Sequence, residues 1–277
     1  MAVYRSDEMR IRLVTDAKIA ETSSKGNQEK WYDREPDCWY KVDQFGYEAL
    51  AETVISGFLE QSNLETLLPL SFVHYRIEQL QVHGHKRAGC SSKNFLGSGQ
   101  SLITVNRLLT NFLGMPLREK LLRFSSRKKR IAFLAETTAE LTGLDKFPQY
   151  LTLLFEVDAL FCNDDRHLNN IAVIEQDGRY DYCPIFDNGA GLLSNTQVLR
   201  MDIEPSVLIA FLQASPFQTT FTRQMNTARS LYGPQLSMPR LGAENMGNPV
   251  LEYYPQRDRG IIGDRVKKCI LLRQKFF

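Results

Sequence analysis

The stretch FCNDDRHLNNIAVI, residues 161–174, sets Asp164, Asp165, Arg166, His167, Asn169 and Asn170 between two apolar runs. A polar turn does this for solubility alone; a site that holds a metal ion and a phosphate does it for chemistry. Downstream, NIAVIE and RYDYCPIF flank Asp177-Gly178, a dipeptide that favours a tight hairpin turn, and IFDNGAG (185–191) follows. A two-stranded ribbon brings its ends together, so Asp165, Asn170 and Asp187 are expected to converge. Oxygen donors from an Asn and an Asp suit Mg²⁺, a hard cation that completes its shell with water and substrate phosphate. Asn170 and Asp187 are therefore the expected metal ligands. A further carboxylate, Asp165, orients a hydroxyl and accepts its proton, with Asp164 read as its solvated neighbour. These are the parts of phosphoryl transfer, where catalysis is mostly positioning and charge neutralisation. Taken singly, each residue is better explained by capping in a polar turn; the combination carries the reading.

The elements that must position these groups follow from pattern. The first ~95 residues read mainly as strands with one helix. DCWYKVD (37–43) is strand-like, YEALAETVISGFLEQ (47–61) is helical, and SFVHYRIEQLQVHG (71–84) is strand-like. HGHKRAG (83–89) is read as a turn, CSSKNFL (90–96) as a returning strand and GSGQ (97–100) as a linker. The pattern then turns helical: SLITVNRLLTNFLG (101–114) stops at Gly114 before Pro116, and RIAFLAETTAELTG (130–143) stops at Gly143. FPQYLTLLFEVDALFC (147–162) carries Pro148 in its first turn and a stripe of Tyr150, Leu154, Val157 and Phe161. It leads the chain into the polar stretch. Residues 225–257, rich in Pro, Gly and Asn, are expected to be loop, with a last helix over 262–275.

Asp165, His167 and Asn170 in the pattern D-x-H-x-x-N, followed by a hairpin and by Asp187-Asn188-Gly189, resemble the catalytic core of HipA-type kinases. These are bacterial serine/threonine kinases, and lipid kinases share a related D-R-H-x-x-N loop. The Asp165-to-Asn170 spacing also equals that of the protein-kinase loop H-R-D-x-x-x-x-N. The resemblance implies an α+β, bilobal protein-kinase-like fold. Its small β-rich N-lobe with one helix would span 1–96 and its larger, mainly helical C-lobe 97–277, with ATP between them. It implies a phosphate loop, which ETSSKGNQEKWY (21–32) resembles through Gly26-Asn27-Gln28, and a strand lysine, Lys41, for the α/β-phosphates. A helix glutamate should hold that lysine; Glu48 is favoured over Glu52, one turn on. Residues 94–99 would be the hinge that meets adenine. His167 either contacts phosphate or hydrogen-bonds the loop backbone.

By the same resemblance the cofactors are ATP and Mg²⁺, the acceptor is a protein Ser/Thr hydroxyl, and autophosphorylation falls on Ser23 or Ser24. A lipid or small-molecule acceptor, and nucleotide binding without transfer, remain as alternatives. Three departures stand out. The phosphate loop has one Gly, Asn188 stands where protein kinases have Phe, and the chain's N-terminal length is expected not to hold the extra subdomain of HipA-type toxins.

Composition excludes other classes. At 277 residues with 43% hydrophobic content there is material for a large core, and a net charge of +2 gives no general case for nucleic acid. The odd, scattered cysteines (38, 90, 162, 183, 269) fit reduced thiols. No apolar run approaches the ~20 residues of a membrane span, and MAVYRSDEMRIRLV lacks a signal-peptide core. A cytoplasmic location is expected, with secretion into a host as the alternative. His83, His85 and Cys90 are too few for zinc. RFSSRKKR (123–130) is read as a solvated face rather than a nucleic-acid site. Without a G-x-S-x-G elbow, hydrolase chemistry has little support.

Overall fold

Alternating apolar and polar residues build the first sheet. The computed structural model describes residues 11–13, 28–64, 70–240 and 248–277; Gly26 and Asn27, with Ser23 and Ser24, lie outside them. Strands β1 (Ile11–Leu13), β2 (Lys30–Asp33), β3 (Cys38–Val42), β4 (Tyr75–Val82) and β5 (His85–Lys93) lie in the order β1-β4-β5-β3-β2. β1 runs parallel to β4 and the other pairs are antiparallel. Successive strand residues face opposite sides. Tyr40 and Val42 thus enter a small core with Trp31, Leu80 and Val82, while Lys41 between them faces the other side. There helix α1 (Glu48–Leu59) packs against β4 and β5.

The β4–β5 turn is only His83-Gly84, both with positive φ (50° and 77°), because Val82 pairs directly with His85. The turn expected over 83–89 is therefore mostly strand. Similarly, the helix expected from residue 101 begins four residues later. Ser101–Thr104 form β6, which pairs with β7 (Ala172–Gln176), and β7 pairs in turn with β8 (Arg179–Tyr182). The availability of that partner overrides local helical pattern. Thr104 then accepts from Arg107 N at 3.2 Å and caps α2 (Val105–Leu113).

Helices α3 (Leu117–Leu122), α4 (Arg127–Thr142) and α5 (Phe147–Phe161) follow. α5 is the centre of the second region. Its expected stripe is buried, but so are Leu151, Leu153, Phe155 and Leu160 on its other faces. Side chains of this size each contribute ~1.5–3 kcal/mol on full burial. The ring of Phe161 stacks 6.1 Å from Phe58 of α1, joining the two regions through a continuous core. Beyond β8 come α6 (Pro205–Phe211), α7 (Phe221–Tyr232), α8 (Asn248–Leu251) and α9 (Gln256–Arg273). α7 occupies the start of the segment expected to be loop. Thr220 caps it, and Phe221, Met225 and Ala228 pack inward, a stripe hidden by the polar residues around it. The last helix begins at Gln256, earlier than expected. Among the described residues, no helix is long and apolar enough to cross a membrane.

Candidate active site

Lys41 projects from β3 toward α1 and meets two carboxylates. Its Nζ lies 2.6 Å from Glu52 Oε1 and 2.8 Å from Asp187 Oδ1. Burial works against the Lys41 ammonium, but Asp187 and Glu52 outweigh it and hold its pKa well above the usual lysine value. Burial likewise disfavours the Asp187 carboxylate. Lys41, with Lys30 and Arg166 behind it, nonetheless holds Asp187 well below the usual range. Glu52 is fully buried, and that burial raises its pKa despite Lys41.

The preference for Glu48 as the Lys41 partner is corrected. Glu48 sits in the first turn of α1 and reaches back, accepting from Phe45 N at 2.6 Å and Gly46 N at 3.1 Å. It satisfies amides at the helix start, while Glu52, one turn on, faces Lys41. Glu52 also accepts from Asn188 N through its second oxygen at 2.9 Å, so one carboxylate joins β3, α1 and the segment after β8.

α5 ends at Cys162, whose φ of 56° turns the chain into the polar stretch. The loop is wound by its own amides: His167 N donates to Asp165 O (2.7 Å), and Asn170 N to His167 O (2.8 Å). Asn170 Nδ2 donates to Asp165 O at 3.1 Å, which fixes the amide and leaves its oxygen as the free donor atom. Asp165 and His167 both face solvent, with His167 Nε2 4.0 Å from Asp165 Oδ2. Partial burial, followed by the nearby Asp187, raises the Asp165 pKa against the pull of His167. Burial and Asp165 push Asp164 to about 6.

Arg166, Asp158 and Asn163, to which the sequence reading gave no role, hold this loop. Arg166 is fully buried. Its guanidinium pairs with Asp158 of α5 (3.0 Å) and donates to Asn170 O (3.3 Å), Phe186 O (2.6 Å) and Asn188 Oδ1 (2.7 Å). Asn163 Nδ2 donates to Asp158 Oδ1 at 3.1 Å and to Asp187 O at 3.2 Å. One buried cation and one buried amide thus tie the backbones beside Asn170 and Asp187. The chain is tightly placed just beyond, where a Cβ at Gly191 would lie 3.0 Å from Asn188 O and 3.2 Å from Phe161 O.

Lys30 is a further residue missed. It stands opposite Lys41 in the β2–β3 register, and directly opposed residues share a face. Burial and the Lys41 charge lower its pKa, opposed by Asp187 and Glu52, so it belongs to the same cleft. Period-two alternation along KWYD carries that signal. Gln28 turns its amide to Val42 O at 3.0 Å, bracing the end of β3. In the 94–99 segment, Phe95 lies 6.0 Å from Phe186; with Leu96, Leu102, Ala172, Ile174 and Cys183 it forms an apolar cluster. His83 pairs with Glu29 at 3.0 Å, Cys90 is buried in the sheet, and among the described residues no group of three or more His, Cys, Asp or Glu forms a metal cage. Asp187 and the Asn170 amide oxygen fit a hard cation that draws its remaining ligands from water and phosphate.

No protein-family model matches the chain, and no curated protein sequence does. Among solved structures it is similar to the proinflammatory kinase CtkA of Helicobacter pylori. The identity is 14% over 91% of this chain and 89% of that one, with a TM-score of 0.59. HipA of the toxin–antitoxin system of Shewanella oneidensis MR-1, in its complex with HipB and operator DNA, matches at 12% identity. That match covers 91% of this chain and 64% of that one, with a TM-score of 0.46. These two solved structures are of a kinase and of a HipA protein. The first of them carries the fold: α+β and kinase-like, a small sheet region followed by a helical one.

Proposed function

We propose that the protein is an ATP- and Mg²⁺-dependent kinase that transfers the γ-phosphoryl group to protein Ser/Thr hydroxyls, its own included. The observation that carries this is the Lys41 ammonium held between Glu52 and Asp187, beside a loop that presents Asp165 to solvent. A lysine so fixed offers a permanent positive charge to nucleotide phosphates, and Lys30 lies on the same face. Asn170 and Asp187 would hold Mg²⁺, which when bound neutralises charge on the phosphates. Asp165, facing solvent at the loop crest, orients the acceptor hydroxyl and takes its proton. The apolar cluster around Phe95, Leu96 and Phe186 suits the flat face of adenine. Gly26 and Asn27 are assigned to the phosphates through the resemblance alone.

The test is incubation with labelled ATP and Mg²⁺, followed by mass spectrometry of the protein and of a lysate. Phosphate on Ser or Thr of either, absent in Asp165→Asn, is the expected result. Neither self-labelling nor lysate labelling, from protein that shows an ATP-dependent rise in Tm, would reduce the reading to nucleotide binding.

A further inference from the structure

The run RFSSRKKR is part of a larger feature. Between residues 105 and 131 the chain has eight basic residues (Arg107, Arg118, Lys120, Arg123, Arg127, Lys128, Lys129 and Arg130) and one acid, Glu119. Among the described residues none of the eight forms an ion pair. Surface cations normally alternate with carboxylates, and the first turn of a helix normally carries acids. Here α4 opens with Arg127, Lys128, Lys129 and Arg130 and no acid. The cations are also gathered by structure. Lys120 of α3 lies over the rings of Phe124 (5.7 Å) and Phe133 (5.5 Å). Arg130 donates through two nitrogens to Phe124 O at 3.2 Å, which folds the 123–126 turn onto α4. Arg123, Lys128 and Lys129 are left exposed around it, beside Leu122, 63% exposed.

We infer that this surface, α3 with the start of α4, docks a short acidic protein segment that carries apolar side chains. Charge complementarity names the sign of the partner, and Leu122 its apolar part. Length follows from the rest of the molecule. The whole chain carries only +2, so the residues outside this stretch sum to a net negative charge and do not favour a long polyanion that runs past it. A compact acidic segment meets only the basic face. The patch is also coupled to the site: α2, against which α3 packs, is fixed to the catalytic loop, where Asn106 Nδ2 donates to Asn169 Oδ1 at 3.0 Å and Asn106 N to Leu168 O at 3.2 Å. A segment held there belongs to the protein whose hydroxyl enters the cleft. That last assignment rests on the kinase reading; the docking itself does not.

The experiment measures binding of a fluorescein-labelled Glu-rich peptide interspersed with Leu by anisotropy, without nucleotide, to the full chain and to the Arg123→Glu/Lys128→Glu/Lys129→Glu variant. Parallel arms use a single-stranded oligonucleotide and phosphatidylserine vesicles at the same salt. Peptide binding that weakens with salt, and falls about tenfold or more in the triple variant, is expected. An ATP-induced rise in Tm, retained in that variant, shows both that it is folded and that the nucleotide site stands apart. Absent peptide binding, binding indifferent to the charge reversals, or tighter binding of the oligonucleotide or the vesicles overturns the inference. A missing Tm response to ATP with intact peptide binding would instead count against the kinase reading.

Discussion

Arg166 Nη2 donates to Asn188 Oδ1 at 2.7 Å, and both side chains are buried. This pairing gives Asn188 a structural role. Asn188 accepts the guanidinium on one side and, through its backbone N–H, binds Glu52 on the other. The segment after β8 is therefore held by polar bonds to both the loop and α1. Asn188→Leu removes an acceptor from a buried cation and should cost about 2–3 kcal/mol in urea unfolding. Asn188→Asp keeps an oxygen in place and should lose less. Equal losses in the two variants would assign the effect to shape.

Glu52 and Glu48 should separate cleanly. Glu52→Gln weakens the hold on Lys41, and on the kinase reading should lower phosphoryl transfer by roughly 10²-fold, the scale expected of a misplaced positioning group. Glu48→Gln loses charge-assisted bonds to the Phe45 and Gly46 amides, at about 1 kcal/mol of stability, with transfer unchanged. Single-turnover rates and urea midpoints on both variants measure this; the reverse pattern would restore Glu48 as the Lys41 partner.

The parts of the site visible in the sequence are local ones. Asp165, His167 and Asn170 sit in one short loop, Asp177-Gly178 announces the ribbon that brings Asp187 back, and strand alternation sets Lys41 opposite Tyr40 and Val42. The parts that stayed hidden depend on distant partners. Arg166 reads as one more solvated charge until Asp158, three residues before the end of α5 on a core helix, is seen to neutralise it. Glu48 and Glu52 share a helix face, and only the free amides of Phe45 and Gly46 decide which turns away. β6 was hidden for the same reason, since its strand character comes from β7, some 70 residues along the chain.

Stability should depend on pH through Asp43. Its carboxylate is buried, accepting from Ala49 N (2.6 Å) and Tyr254 OH (2.7 Å). Burial pushes its pKa up to about 8 from 3.8, against the Ala49 amide, with Glu48 adding to the rise. The folded value exceeds the unfolded one, so this contribution is fully present below about pH 4 and is lost as pH rises toward about 8. Asp43→Asn cannot ionise, and the difference between its urea midpoint and the wild type's should shift in its favour across that window. A constant difference would show that Asp43 is charged in the folded protein throughout.

Asp187 should carry the metal dependence of nucleotide binding. On the kinase reading, ATP with Mg²⁺ should raise Tm by mass action on the folded state, and Asp187→Ala should abolish most of the Mg²⁺-dependent part of that rise. The variant also frees Lys41 from one partner, so its ATP response without Mg²⁺ is the control for a general loss of the cleft. An unchanged Mg²⁺-dependent shift would remove Asp187 from the metal site.

Asp165 and Asp164 are adjacent carboxylates, and their environments separate their roles. Asp165 is exposed at the loop crest with His167 beside it, whereas Asp164 is half-buried and pushed to about 6. On the kinase reading, Asp165→Asn keeps the shape and loses the base, so transfer should fall at least ~10²-fold while the ATP-induced Tm shift stays. Besides burial, the charges that shift Asp165 are His167, Asp187 and Arg166, not Asp164, so Asp164→Asn should leave both the rate profile and the maximal rate little changed. The measurement is single-turnover transfer against pH for wild type and both variants. If Asp165→Asn turns over at the wild-type rate while Asp164→Asn is inactive, the proton goes to Asp164, and the exposed carboxylate only attracts the acceptor.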